Sequence, residues 1–130
     1  MKPEEIFNKI ITREIPSHIV WESETHLAFL DINPIQPGHV LVIPKKQEDY
    51  IFEIDDKDYV ELWLAAKEVA KLLKQKLNCA RVCVIVEGYA VPHTHIHLIP
   101  TNGDQDLKKD DRARSVSDDE LKRLAEIIRS

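Results

Sequence analysis

Apolar residues at 6, 7, 10 and 11 in "EEIFNKII" (residues 4–11) follow helical spacing. They predict a short amphipathic helix, ended by Pro16. The period then shortens. "HIVWES" (18–23) and "HLAFLD" (26–31) are β-branched or aromatic runs around the polar turn Ser23-Glu24-Thr25, which predicts a hairpin. "NPIQPG" (33–38) is a loop by its prolines and glycine, and "HVLVIP" (39–44) is a third strand stopped by Pro44. Helical spacing returns over 56–77, where Val60, Trp63, Leu64, Lys67, Ala70, Leu73 and Leu77 line up with only Lys67 polar. Asp55 or Asp56 suits the N-cap of that helix, and Lys74 and Lys76 suit its last turn. "RVCVIVEG" (81–88) is nearly all apolar and predicts a central strand; "HTHIHLIP" (93–100) predicts another. "SDDELKRLAEIIRS" (117–130) pairs Ser117 with Glu120 three residues on, a capping box that opens a closing helix.

These elements sum to an α+β fold: an antiparallel sheet of about five strands, one long helix against it and short helices at the ends. One domain is expected over 1–130, with its core in 5–100, a polar connector over 101–116 and a helix over 117–130. The tract "GDQDLKKDDRARSV" is expected to be mobile. A net charge of −5 argues against gripping nucleic acid through its phosphates, which needs a basic surface. No stretch approaches the ~20 apolar residues of a membrane span, and the N-terminus lacks a signal-like apolar run. A cytoplasmic protein is the expectation. Cys79 and Cys83 are expected to be free thiols. The three glycines form neither GxGxxG nor a P-loop, so any phosphate is held by other means.

Half of the six histidines fall in five residues, at 93, 95 and 97 of "VPHTHIHLIP". Side chains alternate along a strand, so these three share one face at ~6–7 Å intervals, with Ile96 and Leu98 on the opposite, core face. Three readings compete. The face is solvated and the histidines incidental. Or it holds zinc, although three same-face histidines on one strand span too far to meet one ion easily. Or one imidazole attacks phosphorus while its neighbours hold the phosphoryl oxygens or protonate the leaving group.

"HTHIHLI" fits the pattern His-x-His-x-His-apolar-apolar, and "IFNKIITREIPSHIVWESETHLAFLDINPIQPGHVLVIPKK" supplies a second block in the right order. Over residues 5–100 the chain resembles the histidine triad (HIT) family, in particular its Hint-like branch. The resemblance implies a small α+β protein, usually a homodimer that joins its sheets and packs the long helix across the interface. It implies binding of a purine nucleotide, an AMP or GMP conjugate, and cleavage at the α-phosphorus through a nucleotidyl-histidine intermediate. No cofactor is implied. His95 matches the nucleophile, His97 a contact to the phosphate oxygens, and His93 a residue that fixes and polarises the others. His39 in "PGHVLVIP" matches a further histidine near the phosphate. Asp31 matches the ribose-binding acid, and a carboxylate suits a diol as a double acceptor. Ile6, Phe7, Ile10, Ile32 and Leu41 match the apolar walls around the base. His18 and His26 lie in the hairpin and read as structural or solvated.

Two departures stand out. Many bacterial members carry a structural zinc. Here Glu5, Asn8 and Gln47 stand where three of its four ligands would be, so no structural zinc is expected. The loop before the triad is only "VEGYAVPH", with Val86 or Glu87 in place of an Asn and Ala90 in place of a phosphate-binding hydroxyl. Adenosine phosphoramidates or acyl-adenylates are the first substrate class expected. Dinucleoside polyphosphates come next, and a nucleotide-binding module with little turnover is the alternative.

Overall fold

A computed structural model of the protein describes residues 1–108 and 116–130. It contains α1 (Ile6–Ile11), β1 (Ile19–Glu22), β2 (His26–Leu30), β3 (Val40–Pro44), α2 (Asp56–Leu77), β4 (Arg81–Ile85), β5 (Ile96–Thr101) and α3 (Asp118–Arg129). The five strands form one sheet in the order β1-β2-β3-β5-β4, with every pairing antiparallel. The fold is α+β, as the pattern predicts.

Alternation along the strands divides the molecule into two apolar layers. Ala28, Leu30, Val40, Val42, Ile96 and Leu98 face α2, where Leu62, Ala66, Val69 and Leu73 meet them. Leu121, Leu124, Ala125 and Ile128 of α3 extend this layer beside β1. Leu27, Phe29, Leu41 and Ile43 face the other way and pack against Phe7 and Ile10 of α1. The histidines share that second face.

Both ends of α2 fall where the caps put them. Asp55 accepts a hydrogen bond from Asp58 N at 2.9 Å, and Asn78 ends the helix in the left-handed region at φ 53°. Gly38, at φ +88°, allows a reversal before β3, and a Cβ there would collide with Leu77.

Several elements differ from their predicted form. α1 stops at Ile11, ahead of Pro16, because Arg13 turns left-handed at φ 69° and Ile15 N bonds back to Lys9 O at 3.1 Å; residues 3–5 form a 3₁₀ turn. β4 is an edge strand, not a central one, and ends at Ile85. β5 begins at Ile96, so His93 and His95 precede the strand. The β3–β5 ladder pairs Val42 with Ile96 and would next approach Pro44, which has no N–H to donate. Part of the polar tract is ordered as a 3₁₀ turn, Asp104–Leu107, tied to the loop after β2 by Gln36 Nε2 donating to Asp106 O at 3.0 Å. Residues 109–115 of that tract lie outside the described residues.

Candidate functional site

The loop from Asp31 to His39 closes on itself. Asp31 N donates to His39 O at 2.8 Å, which sets the two residues side by side. One carboxylate oxygen of Asp31 accepts Asn33 N at 2.8 Å, an Asx turn. The other lies 3.6 Å from His39 Nε2 and 4.0 Å from His97 Nδ1. One side chain therefore does two jobs: it initiates the turn and presents charge to the histidines.

Hydrogen-bond partners fix the proton positions on the imidazoles. Ile35 N–H donates to His39 Nδ1 at 3.0 Å, so that nitrogen bears a lone pair and the proton sits on Nε2. His39 Nε2–H then donates to His97 Nδ1 at 2.9 Å, which leaves the His97 proton on Nε2. A carbonyl oxygen only accepts, so His95 Nδ1–H donates to His93 O at 2.7 Å and the His95 lone pair resides on Nε2. His93 Nε2–H likewise donates to Pro44 O at 2.8 Å. The backbone carbonyl that the ladder leaves at Pro44 is thus taken by a side chain. His93 orients His95 through its own backbone oxygen, while its ring anchors the loop. Thr94 N adds a second anchor, to Glu48 O at 2.6 Å.

Ring contacts complete the cluster. The His95 and His97 centroids are 4.9 Å apart, and those of His39 and His97 5.1 Å. The Phe7 ring meets His95 edge-on at 5.0 Å and His93 at 5.7 Å. All four of these histidines are buried.

A pocket of about 630 Å³ opens beside this cluster. His95, His97 and Asp31 line it together with Ile6, Phe7, Ile10, Ile32 and Leu41, so the fold brings these residues to one pocket. His39 and His93 are not among the lining residues; they bond to His97 and His95. Glu87 and Ala90 of the short loop border the pocket, while Tyr89 is exposed. His18, expected to be structural or solvated, lines the pocket with Asp118 and Leu121 of α3. His18 Nε2 is 2.8 Å from Asp118 Oδ1 across 100 positions of sequence, a separation at which local pattern carries no signal.

Asp31, His39 and His97 offer three potential metal-ligating atoms within 4.8 Å of one another. The proton positions do not fit a metal. His39 accepts the Ile35 N–H on Nδ1, so coordination through Nε2 would require an imidazolate. Where the resemblance implies a structural zinc in many bacterial members, Asn8 Nδ2 donates to Gln47 Oε1 at 2.5 Å and Gln47 Nε2 to Pro92 O at 3.3 Å. Two amides join α1 to the triad loop there.

Burial holds the His93 and His26 imidazoles below their ordinary range; for His93, the bond to the Pro44 carbonyl opposes the shift. A depressed histidine binds fewer protons in the folded chain than in the unfolded one. Its contribution to stability is complete above about pH 6.5 and is lost as pH falls through and below that value. Thermal melts at pH 7.5 and 5.5 are expected to show a drop that is smaller in His26→Gln than in the parent. Comparing the two separates this imidazole from Glu48, whose carboxyl burial shifts upward.

An antiparallel α+β sheet carrying interlinked histidines at the mouth of an apolar pocket, with a carboxylate beside them, defines a histidine-cluster pocket protein. The chain belongs to the histidine triad family: residues 12–104 match the HIT domain. It is 38% identical over 122 residues to an uncharacterized HIT-like protein of Methanocaldococcus jannaschii, covering 89% of this chain and 94% of that one. It is 28% identical over 116 residues to a bis(5'-adenosyl)-triphosphatase of Dictyostelium discoideum, covering 78% of each. In structure it is similar to a HIT-like protein involved in cell-cycle regulation from Bartonella henselae. The TM-score is 0.84 at 30% identity, over 99% of this chain and 97% of that one. Among the described residues no helix is long and apolar enough to cross a membrane.

Proposed function

We propose that the protein is a metal-independent nucleotide hydrolase or transferase that cleaves at the α-phosphorus of a purine nucleoside monophosphate conjugate. The observation that carries this reading is the bond from His95 Nδ1 to the His93 carbonyl. It commits the lone pair to Nε2, the nitrogen that attacks. As the Nε2–P bond forms, the bond from phosphorus to the leaving nitrogen or oxygen breaks and the imidazole becomes cationic. The His93 carbonyl, already accepting from Nδ1–H, faces that new charge. His97 Nε2–H is the donor for the phosphoryl oxygens. Water then cleaves the nucleotidyl-histidine, releasing the mononucleotide and restoring His95. Asp31 accepts from the ribose hydroxyls, and Ile6, Phe7, Ile10, Ile32 and Leu41 enclose the base.

A phosphoramidate or acyl-adenylate is the substrate class of this proposal. Ala90 brings no hydroxyl to the pocket and Glu87 brings negative charge, a poor lining for a polyphosphate leaving group. The relative acting on a bis(5'-adenosyl) triphosphate keeps the dinucleotide as the second substrate class. Rapid acid quench of the protein with an adenosine phosphoramidate is the test. Mass spectrometry is expected to find one adenylyl group, on His95. Turnover with no adduct at any time point would refute the covalent route, and AMP binding without turnover would establish a binding module instead.

The same proposal includes a homodimer built on β4, consistent with a cytoplasmic protein. The outer edge of β4 has no strand neighbour among the described residues, its Val84 is exposed, and Val60 and Leu64 stand exposed one turn apart on α2. Sedimentation is expected to give a dimer for the parent and a monomer for Val84→Lys combined with Leu64→Glu.

A further inference from the structure

The pocket's two ends can be ordered across the sheet. Leu30 N bonds to His18 O at 3.0 Å; Leu30 pairs with Val40, and Val40 with Leu98, the residue after His97. His18 is therefore three strands from β5, roughly 14 Å at ~4.8 Å per strand. That is the scale of a nucleoside monophosphate from phosphorus to the far edge of its base. Asp31, continuing β2, lies between. With phosphate at His95 and His97 and ribose at Asp31, the base extends toward His18.

Most of the wall at that end is apolar: Ile10, Ile15, Pro16 and Leu121. Apolar walls grip every purine alike and distinguish them poorly. The polar side chains there are Ser17, His18 and one carboxylate, that of Asp118. Its carboxylate has four acceptor sites, and the bond from His18 Nε2 at 2.8 Å orients it without filling them. The helix that bears it is held by Leu121, Leu124, Ala125 and Ile128 in the core, which fixes its backbone, while the carboxylate itself is 85% exposed at the pocket rim.

We propose that Asp118, oriented by His18, is the base-reading residue: it accepts an N–H from the exocyclic amine of a purine. The inference rests on the nucleotide reading of the pocket and adds to it a selectivity for aminopurines. It also gives the C-terminal helix a place in recognition.

Asp118 can be replaced without removing the helix cap, because Ser117 Oγ accepts Glu120 N at 3.1 Å. The test uses calorimetry on the full chain with two ligand pairs, each differing by one amino group. These are AMP against purine riboside 5'-monophosphate, and GMP against IMP. In one pair the amine-bearing ligand is expected to bind roughly tenfold tighter, the low end for a hydrogen bond to a charged group. Asp118→Ala is expected to collapse that preference to within twofold, with its thermal midpoint near the parent's. Equal binding in both pairs by the parent overturns the inference while leaving the nucleotide reading intact, and so does a preference that persists in Asp118→Ala. Failure of all four ligands to bind the parent removes the nucleotide reading, and this inference with it.

Discussion

Replacing His95 with alanine is expected to lower turnover of an adenosine phosphoramidate by at least ~10⁴-fold, the scale of losing a nucleophile that other groups cannot replace. At about 1.4 kcal/mol per factor of ten, this is roughly 5–6 kcal/mol of transition-state stabilisation. AMP affinity is expected to stay within a few-fold of the parent, since Asp31 and the apolar walls are untouched. The separation of the two effects is the point of the measurement. A nucleophile bonds to phosphorus only after binding, so its loss appears in turnover and not in affinity. If His95→Ala retains turnover within tenfold of the parent, the attacking nitrogen lies elsewhere. Stability is expected to fall by about 1–3 kcal/mol, because the His93 carbonyl loses its buried donor.

How much of this was legible in the chain varied with the range of the interaction that decides it. The ends of α2 are local events, an aspartate cap and a left-handed asparagine, and the predicted and observed boundaries coincide at 56 and 77. Period-two alternation placed Ile96 and Leu98 in the core and sent His97 to the opposite face. The start of β5 was not legible from "HTHIHLIP" itself. It depends on Pro44 in the neighbouring strand, whose missing N–H ends the ladder and whose carbonyl then anchors His93. β4 was misplaced for a related reason. An apolar run reports side-chain character, and does not say whether the strand has a neighbour along both edges. The pairing of His18 with Asp118 spans 100 positions and exists only once α3 packs beside β1.

The His39 position shows how far the reactive geometry depends on a residue that does not line the pocket. His39→Leu is expected to destabilise the protein by about 1–3 kcal/mol, because Ile35 N–H is left buried without its acceptor. It is also expected to lower turnover roughly 10²-fold at a temperature where the variant is fully folded, as when a group that orients a reactive ring is removed. His97 would lose the donor that holds its proton on Nε2, and with it the N–H offered to the phosphoryl oxygens. Two substitutions divide the losses. In His39→Asn the amide oxygen stands near the place of Nδ1 and can accept Ile35 N–H, so stability is expected to recover while turnover stays low. In His39→Gln the amide reaches toward the place of Nε2 and can donate to His97, so turnover is expected to recover more than stability. Parallel recovery of both properties in either variant would show that His39 serves packing alone. The opposite pattern, split between the two amides, would establish it as a positioning residue whose two ring nitrogens do separate work: one holds the loop, the other sets the proton on His97.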